Sequence, residues 1–148
     1  MIELEDKQNI YRVLHADAAL NALLGYAGTG DTRIHKDLLR TRDEADAVTD
    51  YYPCILIQEA VSRRNDNRDW SGEVVLTSLS QFLEDDPLNP NGAVLYRALQ
   101  IIQPARWSTT HGRVVSIQLT GTLSQGYDQS RNVNYRGQSL FIHKSFDL

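Results

Sequence analysis

The chain has 148 residues, one cysteine, and 15 basic against 19 acidic side chains, for a formal net charge of −4. That length makes about one domain, able to bury roughly two thirds of the surface its unfolded chain exposes. The charge balance gives no overall drive towards nucleic acid, a lone Cys54 excludes an internal disulfide framework and suits a reducing compartment, and no uncharged apolar run approaches the roughly 20 residues that cross a bilayer.

The first seven residues, Met-Ile-Glu-Leu-Glu-Asp-Lys, are acidic where a secretory signal needs a basic start, so a soluble protein without such a signal is expected. From Asp6 to Leu24, apolar residues recur three and four apart at Ile10, Val13, Leu14, Leu20, Leu23 and Leu24, which predicts a helix broken around His15-Ala16-Asp17. Asp17 suits the cap of the second piece, and Gly25 the left-handed residue that closes it. The polar stretch Thr29 to Asp50 reads mostly as loop, interrupted by Arg33-Ile34-His35.

Tyr52-Pro53-Cys54-Ile55-Leu56-Ile57 is a continuous apolar run opened by proline and predicts a strand covered on both faces. Ser62 to Asp69 reads as a turn-rich charged loop leading into a β-branched strand over Gly72 to Leu79, so that the two strands make a long-looped hairpin. A second helix is expected after Asn89-Pro90-Asn91-Gly92, with Val94, Leu95, Ala98, Leu99 and Ile102 on one face and Pro104 beyond its end.

From Arg113 to Leu123 the alternation is clean. Val115, Ile117, Leu119 and Leu123 share the parity expected to face the core, and Ser116, Gln118, Thr120 and Thr122 the parity expected to face water. The last segment is apolar at odd positions Val133 and Tyr135 and then at even positions Leu140, Ile142 and Phe146, a change of parity that a bulge at Gly137 would reconcile. The whole predicts a single α+β domain over residues 1–148, with an antiparallel or mixed sheet of about four strands packed against two main helices.

The chemistry-bearing patterns dissolve on inspection. Gly25 to Thr32, "GYAGTGDT", has the outline of a phosphate-binding loop, but it follows a helix instead of opening one, and Asp31 stands where the lysine should be. It reads as a helix stop. Cys54 could be paired on paper with His111 or His143 as nucleophile and base, yet an apolar strand suits a structural thiol. Asn65, Asp66, Asn67 and Asp69 resemble a calcium loop in which Trp70 replaces the turn glycine and Leu76 the closing glutamate. His15, His35, His111 and His143 have no metal-ligand spacing, and neither Glu59 nor Asp85-Asp86 has the neighbours of a nuclease site. No catalytic residue, cofactor site or metal site is therefore expected. Arg63, Arg64 and Arg68, interleaved with Asp66 and Asp69, read as a solvated loop or a protein contact.

The order of elements resembles the tail terminator or tail-completion family of long-tailed bacteriophages over almost the whole chain. The likeness is carried by Leu14-x-x-Asp17-Ala18-Ala19-Leu20-x-x-Leu23-Leu24-Gly25, by Arg33-Ile34-x-x-Asp37, by Tyr52-Pro53 before a strand, and by Tyr135-Arg136 in the closing segment "YRGQSLFIHKSF". Two connections, Phe82 to Asn91 and Arg40 to Asp50, are longer than that family's pattern, and the first is richer in proline. The resemblance implies a structural subunit that forms a six-fold ring on the end of the tail tube, stops its growth and joins it to the head. Its partners would be copies of itself, the tail tube protein and the head-tail connector or stopper, with no membrane and no specific nucleic acid. It would be assembled in the host cytoplasm and reside in the virion. The contact residues expected from charge and loop position are Arg63, Arg64, Asp66, Asn67, Arg68 and Asp69, with Tyr127, Asp128 and Arg131 near the last turn. The alternatives are another neck, head-completion or minor tail protein or, from a different class, a small hydrolase or nuclease built on Cys54 or the acidic set.

Overall fold

A computed structural model describes residues 2–26, 28, 33–36, 52–64, 69–110, 112–129 and 132–145, with backbone alone at 2–5, 59–64, 69 and 121–123. The elements in chain order are α1 (Ile2–His15), α2 (Ala18–Leu24), β1 (Ile34–Lys36), β2 (Cys54–Arg64), β3 (Asp69–Ser80), α3 (Asn91–Ile102), β4 (Ser108–Thr109), β5 (Gly112–Asp128) and β6 (Val133–Ser145). The broken N-terminal helix is as its periodicity predicts. The Asp17 carboxylate accepts from the Leu20 amide at 2.9 Å, and Gly25 closes α2 at φ 74°, a conformation that glycine adopts without steric cost.

Among the described residues six strands form one mixed sheet in the order β1-β2-β3-β6-β5-β4, so the expected four strands are too few. The two additions are short: β1 joins parallel to β2 from within a stretch read mostly as loop, and β4 pairs only Ser108 and Thr109 with β5. The rest is antiparallel. The expected long loop between the second and third strands is also corrected. Strand pairing continues to Arg64 opposite Trp70, leaving only 65–68 between the strands, outside the described residues. β-Bonding wins there because the ladder satisfies backbone groups whatever the polarity of the side chains.

Helices α1 and α3 lie on one face. α1 covers β1 and β2, and α3 covers β3 and β6. Beneath them Ile55, Ile57, Val74, Leu76, Leu140 and Ile142 meet Ile10, Leu14, Val94, Leu95, Ala98 and Ile102 in one core. The start of α3 is anchored by buried polar groups, Ser78 Oγ to Asn91 Oδ1 at 2.9 Å and Asn91 Nδ2 to Asn134 O at 3.0 Å. The opposite face carries a smaller buried cluster of Cys54, Leu56, Leu79 and Val133.

That second cluster explains the parity change of the last strand without a bulge at Gly137. β6 pairs in unbroken register with β3 from Asn134 to Ser145; Val133 belongs to the cluster on one face, and Leu140 and Ile142 to the core on the other. Gly137 permits close passage instead, since a Cβ there would lie 3.1 Å from both Ser124 Oγ and Thr77 Oγ1. The irregularities are in β5, between Val114 and Ser116 and between Thr120 and Ser124.

They overturn the expected burial of that strand. Ile117 is buried, but Val115 is 41% and Leu119 47% exposed. Val115 sits in the first bulge. Leu119 pairs with fully buried Leu140 and so faces the helical side, but it lies two residues further along β5 than buried Ile117, past the end of the covered core. The side chain of Leu123 is outside the described set.

Candidate assembly interface

The charged and aromatic residues singled out in the sequence divide between two ends of the sheet. Arg63 and Arg64 are the last residues of β2, opposite Ser71 and Trp70, and Asp69 is the first of β3, opposite Ser145. Asp66, Asn67, Arg68 and Arg131 lie outside the described residues. Tyr127 and Asp128 close β5 opposite Asn134 and Val133; Tyr127 is 46% exposed and its hydroxyl bonds to Asn132. Arg64 is level with Lys144 of β6 and Tyr127 with Asn134, so ten residues, about 33 Å at 3.3 Å per residue, separate the two groups. The fold does not bring them together. It likewise keeps Cys54, level with Leu79, away from His143, level with Ser71; Cys54 is fully buried.

Between these ends runs the long flank of β5. β4 pairs only with Gly112 and Arg113, so the outer edge of β5 from Ser116 onward has no strand partner among the described residues. An unpaired edge offers a row of backbone donors and acceptors to an added strand. The two irregularities divide it into regular stretches at 116–120 and 124–128, a device that limits indiscriminate pairing. Leu119 and Tyr127 are exposed along it.

Two polar arrangements fix the helical layer, one to the sheet and one between helices. At one end, Lys144 is fully buried on the helix face of β6 and ion-paired to Asp6 of α1; the indole of Trp107 donates to the other oxygen of that carboxylate at 2.9 Å. Sequence reading passed over this lysine, although its even parity, shared with Leu140 and Ile142, puts it on the core face. At the helix junction, Arg97 of α3 holds Asp17 through Nε at 3.0 Å and Nη2 at 2.8 Å. The guanidinium hydrogen bonds keep the Asp17 carboxyl below the ordinary carboxylate range, against a partial opposing effect of burial, with the Leu20 amide adding to the lowering.

Among the described residues no group of three or more His, Cys, Asp or Glu side chains is placed to hold a metal ion, and no helix is long and apolar enough to cross a membrane. No protein-family profile matches the chain, and no curated protein matches it. The fold is nevertheless shared with a known particle. A chain in the structure titled "Virion of native gene transfer agent (GTA) particle" superposes with a TM-score of 0.65 at 12% identity, over 92% of this chain and 91% of that one. At that identity the likeness is one of fold, and it runs end to end.

Proposed function

We propose that this chain is a virion structural protein of the tail terminator type, a subunit that closes as a ring on the end of a tail tube, stops its elongation and offers the surface that joins tail to head. The observation that carries this reading is the end-to-end likeness of fold to a virion component, in which both chains are used almost completely. The sequence resemblance narrows the class to tail completion. Such a protein acts by shape and charge complementarity, with no bond made or broken.

The sheet supplies surfaces suited to that work. A ring requires two different patches to meet, because self-pairing of one edge closes as a two-fold dimer. The outer edge of β5, with Leu119 and Tyr127, is one such patch, meeting a different surface of the next subunit. The two charged ends then suit the two rims of the ring. Arg63, Arg64, Asp66, Asn67, Arg68 and Asp69 would serve one rim, and Tyr127, Asp128 and Arg131 the other, one meeting the tail tube and one the head-tail connector.

The test is complementation of a phage or prophage lacking this gene, followed by electron microscopy of the lysate. Overlong tubes and separated heads in the deletion, cured by the intact gene, are expected. Tails of normal length in the deletion would exclude a terminator role. The ring itself is read by sedimentation, as a species about six times 16.8 kDa, on purified tube ends if the free subunit stays monomeric. Leu119→Lys should abolish that species and leave thermal unfolding nearly unchanged.

A further inference from the structure

Residues 81–90, between β3 and α3, are held in one conformation by a dense set of polar bonds. Asn89 is the hub: its Oδ1 accepts from Ser80 Oγ and from the Asn91 amide, both at 2.9 Å, and its Nδ2 donates to Leu83 O at 3.1 Å. Asp86 extends it, its amide donating to Leu83 O at 3.0 Å and its carboxylate accepting from the Leu88 amide at 2.8 Å. The loop is tied to β6 by Asn134 Nδ2 to Phe82 O and by Arg136 to Glu84, each at 2.6 Å.

Much of what this framework presents to water is apolar. Leu83 is 67%, Leu88 72% and Phe82 39% exposed. Scattered exposed leucines are ordinary on protein surfaces, but three large apolar side chains on one hydrogen-bonded loop are a concentration that folding does not require. A loop whose backbone is already held in one shape loses less entropy on docking, and apolar anchors dominate interface energies. The same loop carries Glu84 and Asp85 at its surface. An open cavity of about 350 Å³, lined by Tyr52, Pro53, Ser80, Gln81 and Phe82, lies beside it and has room for a side chain from the other partner.

We infer that this loop is a preformed docking knob for a different protein, one whose surface carries an apolar pocket rimmed by lysine or arginine. The charge argues for that occupant: with Glu84 paired to Arg136, a basic rim complements exposed Asp85 while Leu83 and Leu88 enter the pocket. The inference rests on the reading of this chain as an assembly subunit and adds to it a second contact, separate from the β5 edge.

The test places a photo-crosslinking benzoylphenylalanine at position 88, and separately at the exposed control position 93 of α3, in the full chain produced during particle assembly. The expected product at 88, absent at 93, is a crosslink to a different polypeptide, in a peptide where apolar residues are flanked by lysine or arginine. Asp85→Lys should lower its yield by about tenfold. A crosslink to another copy of this chain, to a peptide without that character, or none above the control, would overturn the proposal. A double Leu83→Ala, Leu88→Ala variant should melt like the parent; a fall as large as that of Leu140→Ala would show that the leucines serve the fold and sink the idea. Sedimentation separates this from the ring reading, because Leu83→Asp with Leu88→Asp should leave the ring mass intact, whereas Leu119→Lys removes it.

Discussion

The two ends of β6 use polar groups in opposite ways. At Lys144 an ammonium, a carboxylate and an indole N–H are withdrawn from water to fix α1 and the segment before β4 on the sheet. At the other end, buried Asn134 and half-buried Arg136 fix a loop whose leucines face outward. The difference teaches that hydrogen bonding here specifies geometry in both places, while the exposure of the apolar side chains it carries sets the two ends apart. The pair at Lys144 holds helix and strand together in the core, and the framework at Asn134 holds a loop whose leucines stand in water.

The buried end should break hardest. Asp6→Ala strands the Lys144 ammonium and the Trp107 indole in the interior, at a cost of about 3–5 kcal/mol measured by urea denaturation, and Asp6→Leu combined with Lys144→Met should recover most of it. If the single change proved as mild as the double, the pair would not be the pin it is taken to be.

Next comes the contrast across one rung of the ladder. Leu140→Ala should cost about 2–5 kcal/mol because it empties a filled core, whereas Leu119→Ala, its exposed partner on β5, should stay within about 0.5 kcal/mol. Equal losses would mean that β5 is covered in the free subunit.

At the exposed end, Asn89→Ala removes the hub of the loop and should lower stability by about 1–2 kcal/mol, with faster amide exchange at Leu88 and Asn91. Unchanged exchange would show that the loop keeps its shape without the hub.

The smallest effect concerns Asp17, where Asp17→Ala should cost about 1 kcal/mol through the lost cap. Its carboxyl titrates lower in the folded chain than in the unfolded one, so its stabilisation is fully present above the unfolded value near 3.9 and is lost as pH falls through the folded value. The parent should therefore lose more stability than the alanine variant below about pH 4; parallel acid profiles would remove the Arg97 contribution.

Local chemistry was legible in the sequence. The break in the first helix, its Asp17 cap and Gly25 stop, the face of α3 and the doubly covered start of β2 all follow from spacing and residue type, because helix and strand periodicity report which side chains share a face. Periodicity does not report what lies against that face. Leu119 has core parity and stands in water, Lys144 has core parity and is buried with its charge, and Val133 and Leu140 are both buried on opposite sides of one strand. Those outcomes were decided by a sheet order that puts the last strand, β6, between β3 and β5, and by a helical layer whose cover reaches Val114 and Ile117 of β5 but not Leu119. The sequence alone determined the longer elements and the sides they present, while short β1 and β4 were left out. Only tertiary structure decided which sides are covered, because coverage depends on neighbours brought together from distant parts of the chain.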